Sequence, residues 1–203
     1  TVVTSDLGEK VASDYGVTTE KTLTGFKFIG EKVAKYEKTH EKNYVFGYEE
    51  SYGSLIKPFV RDKDAVSACA MMAEIAAWAK DNGKTMYELL QDIYVEYGFS
   101  KEKGISVVRK GKSGAEEIEA MMKNFREHPI TEIAGSKVVL AKDYATLVAH
   151  DFVAGEKYTL DMPTTSNVLQ YFTEDGTKVS VRPSGTEPKI KFYIEVSGEL
   201  KSR

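Results

Sequence analysis

The sequence predicts an α/β chain in two parts, a mixed sheet between helices followed by an α+β part with an antiparallel sheet. Up to about residue 98, short apolar stretches alternate with amphipathic helical patterns, as in layered α/β domains. Beyond that point one amphipathic helix stands among runs of alternating, strand-like residues. The change of character places a boundary near residues 98–104, giving one domain at 1–100 and another at 101–203.

The first half is expected to run as follows. Val2 and Val3 read as a short strand, residues 5–15 as a helix capped by Ser5 or Asp6, and "GVTTEKTL" as a second strand. "GFKFIGEKVAKYEKT" is a helix opening after Gly25, and "YVFGYEES" a strand entering a glycine-flanked loop. A long helix follows from Asp62 to Asp81, broken by Gly83. "TMYELLQDIYVEYG" is a helix with Thr85 as its cap and Glu88 three residues on, the capping-box spacing. In the second half "ISVVRK" reads as a strand and "KSGAEEIEAMMKNFREHP" as a helix stopped by Pro129. "KVVLAKDY", "NVLQYFTEDGTKVSVRP" and "KIKFYIEV" supply the remaining strands, with Asp175-Gly176 as a hairpin signal.

Bulk properties narrow the function classes. The 203 residues are 41% hydrophobic and can bury a real core. A net charge of -3 argues against a nucleic-acid partner, and the apolar runs are too short to span a bilayer. Nothing resembles a signal peptide, and Cys69 as a lone cysteine suits a reducing cytoplasm. Its setting, "AVSACAMMAEIAAWA", predicts inert core packing. The opening "TVVTSDLG" reads as the interior of a longer polypeptide. His40, His128 and His150 lack metal-ligand spacing.

Chemistry concentrates in the loops. In "VSVRPSGTEPKIKFYIEV" a single bend gathers Arg182, Ser184, Gly185 and Thr186, with Lys189 and Lys191 just beyond. Gly185 lets the backbone approach an anion, the hydroxyls donate, and Arg182 offers a planar fork for two phosphate oxygens. The competing assignment is a tight turn with a basic edge that blocks aggregation. In "FGYEESYG" Glu49 and Ser51, two apart, point the same way if extended, and a carboxylate beside a hydroxyl matches vicinal sugar hydroxyls. A solvated acidic loop is the alternative. Thr24-Gly25 in "TLTGFKFIG" could offer backbone N–H groups to a ligand or simply cap a helix. In "VRDKDA", Arg61 and Lys63 could serve a phosphosugar or be ordinary solvated charges.

Taken together, "TLTGFKFIG", "FGYEESYG", "VRDKDA" and "RPSGTEPKIKFY" resemble, in order and spacing, the α-D-phosphohexomutase superfamily of phosphoglucomutases and phosphomannomutases. The extended "GYEESYG…VRDKDA" form looks most like the bacterial phosphoglucomutases. The resemblance implies the third and fourth of four domains, an α/β domain and a TATA-binding-protein-like α+β domain. It also implies residue roles. Glu49 and Ser51 match the pair that binds sugar hydroxyls, and Thr24 and Gly25 the loop that orients the sugar. Lys63 matches a lysine considered for proton transfer. Arg182, Ser184, Gly185 and Thr186 match the grip on the non-transferring phosphate, with Lys191 near a second basic position.

The family's phosphoserine loop and its metal loop are missing from this sequence, and "DKD" at Asp62–Asp64 cannot replace the latter. The resemblance therefore implies a C-terminal fragment, inactive alone, whose parent holds Mg²⁺ outside this chain and uses glucose 1,6-bisphosphate as activator and intermediate. Its partners would be a hexose phosphate and the N-terminal domains of the same polypeptide. Phosphomannomutase, phosphoglucosamine mutase and a non-catalytic sugar-phosphate-binding module stand as alternatives.

Overall fold

The computed structural model describes residues 1–185 and 187–202, leaving aside the Lys112 side chain. The chain divides into two compact units, Thr1–Phe99 together with the segment that begins at Glu199, and Ser100–Gly198. Among the described residues no helix is long and apolar enough to cross a membrane.

The first unit contains α1 (Leu7–Asp14), α2 (Phe26–Thr39), β1 (Gly47–Tyr48), β2 (Ser54–Leu55), α3 (Ala65–Asp81) and α4 (Met86–Tyr97). Its strands are shorter than the sequence suggests. Val2 and Val3 are buried, but Thr4 N–H returns to Thr1 O, which curls the start of the chain into a turn. Val2 N–H donates to Thr22 O at 2.8 Å, which ties it to the irregular segment ahead of α2. The regular ladder is the β1–β2 hairpin, Gly47 opposite Leu55 and Tyr48 opposite Ser54.

The helices follow their sequence signals more closely. Asp6 stands at the N-cap of α1, yet its carboxylate pairs with Lys21 at 2.8 Å instead of capping. Asp64 caps α3 by accepting from Val66 N–H, so Arg61 and Lys63 lie in the loop ahead of that helix. Thr85 and Glu88 form the full capping box at α4. Glu20 is held by Lys32 and the Tyr36 hydroxyl of α2 and by Lys42 just beyond that helix. Burial opposes the Glu20 charge, but those three donors outweigh it and hold its pKa down at about 2. Cys69 corrects an expectation: it is exposed rather than packed in a core. The helix that carries it rests on its Ala79 side, and Val66, Met72 and Trp78 are exposed with it.

The second unit contains β3 (Phe99–Val108), α5 (Gly111–Glu127), β4 (Glu132–Ile133), β5 (Ser136–Asp143), β6 (Val148–Asp151), β7 (Glu156–Thr159), β8 (Leu169–Thr173), β9 (Lys178–Pro183) and β10 (Lys189–Gly198). These strands form one sheet in the order β3-β10-β9-β8-β5-β6-β7, with β4 on β5. Asp175-Gly176 makes the β8–β9 hairpin as expected, with Gly176 at φ 84°. The β6–β7 hairpin was not legible in the sequence. Its second strand, "EKYT", is exposed at every position and shows no apolar alternation.

Strand alternation sorts β9 and β10 onto two faces. Val181 and Ile190 join Ile118 and Met122 of α5 in the core, with Val138, Leu169 and Tyr171. The opposite face is polar. Along it Arg182 faces Lys191, Ser180 faces Tyr193 and Lys178 faces Glu195. Lys178 and Glu195 form an ion pair of 2.6 Å, with side chains only 6% and 7% exposed. Beside them Tyr144 donates to Gln170 Oε1 at 2.6 Å, and Gln170 donates to Ser180 Oγ at 2.8 Å. A polar face this buried is fixed in register, because a one-residue slip would turn these groups into the α5 core.

Candidate functional site

In the first unit the chemistry gathers around the β1–β2 hairpin. Tyr44 supports it from below, donating to Leu55 O at 2.6 Å, and burial pushes the Tyr44 phenol up to about 12. Residues 49–53 close the hairpin, with Glu49 N–H bonded to Gly53 O at 2.8 Å. Tyr52 turns at its tip with φ 61°. The turn corrects the expected geometry. Glu49 and Ser51 would share a side only in extended backbone. Here Ser51 Oγ donates to Glu50 Oε1 at 3.4 Å, and Glu50 also accepts from Thr1 Oγ1 at 3.0 Å.

Glu49 is the inward member, with its side chain 12% exposed, and its partner is Lys63 at 3.6 Å. Lys63 also meets Asp62 at 3.3 Å and lies over the Phe26 ring. Burial works against the Lys63 charge, but the Asp62 hydrogen bond and the Glu49 and Asp62 charges outweigh it. Its pKa therefore sits above the ordinary lysine value. Lys63 is thus an ammonium at neutral pH, able to donate a proton or hold an anion but not to act as a base. Gly53 leaves room for both side chains, which would have to shift to admit a larger residue. A Cβ there would come within 2.3 Å of Lys63 Cδ and 2.9 Å of Glu49 Oε1. Arg61 is committed elsewhere, to Pro58 O and Glu37.

Thr24 and Gly25 open α2. Gly25 sits at the N-cap with φ 122°, in the range that favours glycine, and no side chain caps the helix. Thr24 Oγ1 is buried and has no hydrogen-bond partner among the described residues. A buried hydroxyl without a partner is costly, and a bound ligand or water at this entrance would satisfy it.

In the second unit the bend after β9 is tied by Ser184 N–H to Lys189 O at 2.8 Å and by Arg109 N–H to Pro188 O at 2.8 Å. Ser184 Oγ accepts from Glu187 N–H at 3.3 Å. Gly185 has neither a left-handed φ nor any atom within 4 Å of a would-be Cβ. Thr186 lies outside the described residues. Lys189 is taken by Glu187, whose carboxyl is held below its usual range first by the Lys189 hydrogen bond and charge, with Lys191 adding to it. Arg182 and Lys191, facing each other across the ladder, have no ion-pair partner among the described residues. Lys191 lies over the Tyr193 ring, 6.0 Å from its centroid.

A groove of about 610 Å³ opens on the other side of this bend, between Ala115, Ile118 and Met122 of α5 and Ser184 and Gly185. Glu119 and Glu187 stand at its edge, the wrong charge for phosphate, whereas Arg182 projects from the opposite face of the sheet. Among the described residues no group of three His, Cys, Asp or Glu side chains could hold a metal ion.

Two family models match in series. Residues 1–97 match phosphoglucomutase/phosphomannomutase, alpha/beta/alpha domain III, and residues 105–201 match phosphoglucomutase/phosphomannomutase, C-terminal domain. A phosphoglucomutase of Staphylococcus saprophyticus is 35% identical over 198 residues, covering 98% of this chain and 36% of that protein. A phosphoglucomutase of Staphylococcus aureus is 38% identical over 202 residues, covering 96% of this chain and 35% of that protein. The chain therefore spans little more than a third of the length of these curated relatives. The open form of the exocytosis-sensitive phosphoprotein pp63/parafusin, a phosphoglucomutase from Paramecium, superposes with a TM-score of 0.62 at 20% identity over 99% of this chain and 33% of that one, a likeness of fold. The chain belongs to the phosphoglucomutase/phosphomannomutase family and carries its domain III and its C-terminal domain.

Proposed function

We propose that this chain is the substrate-gripping part of a phosphohexomutase, and specifically of a phosphoglucomutase. The longer polypeptide would interconvert hexose 1-phosphate and hexose 6-phosphate through a phosphoserine and a bisphosphate intermediate. The observation that carries this reading is the pair Arg182–Lys191, two cations opposite each other that form no ion pair among the described residues, next to a bend whose glycine the fold does not require. Such a pair is poised for a dianion. The relatives' names favour glucose over mannose or glucosamine phosphate.

Each unit contributes one grip. Arg182 and Lys191 hold the phosphate that is not transferred, with Ser184, Thr186 and the Gly185 backbone as further donors. Glu49 accepts from sugar hydroxyls, Ser51 supplies a second polar contact, and Thr24 and Gly25 orient the ring. Lys63, kept charged by Asp62 and Glu49, stands next to Glu49 as proton donor or anchor. The phosphoserine, Mg²⁺ and the turnover of glucose 1,6-bisphosphate belong to the rest of the polypeptide, and the compartment is the cytoplasm.

The test is an assay with glucose 1-phosphate, Mg²⁺ and a trace of glucose 1,6-bisphosphate. It compares the 203-residue chain with the polypeptide encoded by the full reading frame around it. The longer polypeptide should form glucose 6-phosphate and the chain alone should not. Sustained turnover by the chain alone would place the chemistry within it. A longer polypeptide without turnover would remove the mutase assignment.

A further inference from the structure

Tyr52, at the tip of the Glu49–Gly53 turn, joins a left-handed backbone to an exposed aromatic side chain. Its backbone is left-handed, φ 61°, where glycine or asparagine is at ease and a bulky side chain is strained. Its side chain is fully exposed, at 102%, and so returns nothing to the fold by packing. The following residue is Gly53, where a Cβ would press on the Lys63 and Glu49 side chains. The strained aromatic is thus fixed next to the pair that reads the sugar, and its identity has no cause inside the described fold. Backbone strain held at such a place points to a ligand.

We propose that Tyr52 is an apolar platform on which the hexose ring stacks, a sugar-contacting residue beyond the polar ones. The inference rests on the mutase reading above, and the chemistry of that reading gives it a purpose. A mutase must hold the same hexose twice, once with O1 and once with O6 presented. Hydrogen bonds are directional and must be remade after the sugar turns. An aromatic face meets the C–H patch of a pyranose through area and dispersion, which survive the reversal. Glu49 and Lys63 supply direction at the edge of the ring, and Tyr52 supplies contact that does not depend on it.

The experiment measures steady-state kinetics in both directions, together with thermal melting, for Tyr52→Asn and Tyr52→Phe in the polypeptide of the full reading frame. Asparagine tolerates the left-handed backbone, so Tyr52→Asn should melt at or above the wild type. It should nevertheless raise KM about tenfold for both glucose 1-phosphate and glucose 6-phosphate with a smaller change in kcat, the pattern of lost uniform binding. Tyr52→Phe keeps the ring and should reverse most of the KM rise of Tyr52→Asn. An active wild type with unchanged KM in Tyr52→Asn overturns the platform while leaving the mutase reading intact. So does a rise confined to one substrate, or a Tyr52→Phe as defective as Tyr52→Asn. A wild type with no mutase activity overturns the reading and this inference with it.

Discussion

Replacing Glu195 by Gln should destabilise the second unit by about 3–5 kcal/mol, the range for removing one member of a buried ion pair. Glu195 and Lys178 are paired at 2.6 Å on facing strands, and both side chains are almost completely enclosed. The substitution keeps the shape and removes the countercharge, so the Lys178 ammonium loses its carboxylate in a medium that solvates it poorly. Ser100, whose hydroxyl lies 3.4 Å from Glu195 Oε1, is drawn into the same rearrangement. For a unit of about a hundred residues the melting temperature should fall by at least about 10 °C, read by calorimetry or circular dichroism. A double replacement by methionine at Lys178 and Glu195 should recover much of the loss, because it removes both charges and keeps the volume. A Glu195→Gln chain that melts within a degree or two of the wild type would show that the pair does not hold the face on which Arg182 and Lys191 stand.

Arg182→Lys should leave melting nearly unchanged and lower kcat/KM of the full polypeptide by roughly ten- to hundredfold, equivalent to about 1.5–3 kcal/mol for a hydrogen bond to a charged group. The charge is conserved, but an ammonium is a point donor and cannot reproduce the two parallel bonds of a guanidinium to a phosphate. Arg182 has no ion-pair partner among the described residues, so the fold loses little. An edge-protecting basic turn predicts the reverse, unchanged kinetics and more light scattering on standing. Steady-state kinetics and light scattering on the same preparation separate the two.

The parts of the fold that were legible are those written in local chemistry. Thr85 with Glu88, Asp175-Gly176 and Gly25 ahead of an amphipathic run each determine a cap or turn within a few residues, and each is found where expected. The face shared by Arg182 and Lys191 was half legible. Alternation puts Lys191 on one side of its strand, but only the ladder register brings it opposite Arg182. What the sequence hid depends on long-range partners. Cys69 sits in an apolar helix that looks like core, and whether such a helix is covered depends on what packs against it. Glu49 and Ser51 follow strand spacing, but the bond from Glu49 N–H to Gly53 O turns the chain between them and sends Ser51 to Glu50. An exposed tyrosine such as Tyr52 is ordinary in a sequence, and only its left-handed backbone sets it apart. The φ and surroundings of Gly185 would accept a side chain, so the fold alone does not explain the glycine there.

Amide chemical shifts of the isotope-labelled 203-residue chain test most directly the proposed division between a sugar loop and a phosphate loop. Titration with glucose 6-phosphate should move the amides of Glu49–Gly53 and those of Arg182, Ser184, Gly185 and Lys191. Inorganic phosphate should move only the second set, and glucose only the first. Shifts confined to the groove at Ala115, Ile118 and Met122, or phosphate-induced shifts that leave Arg182, Gly185 and Lys191 untouched, would contradict it.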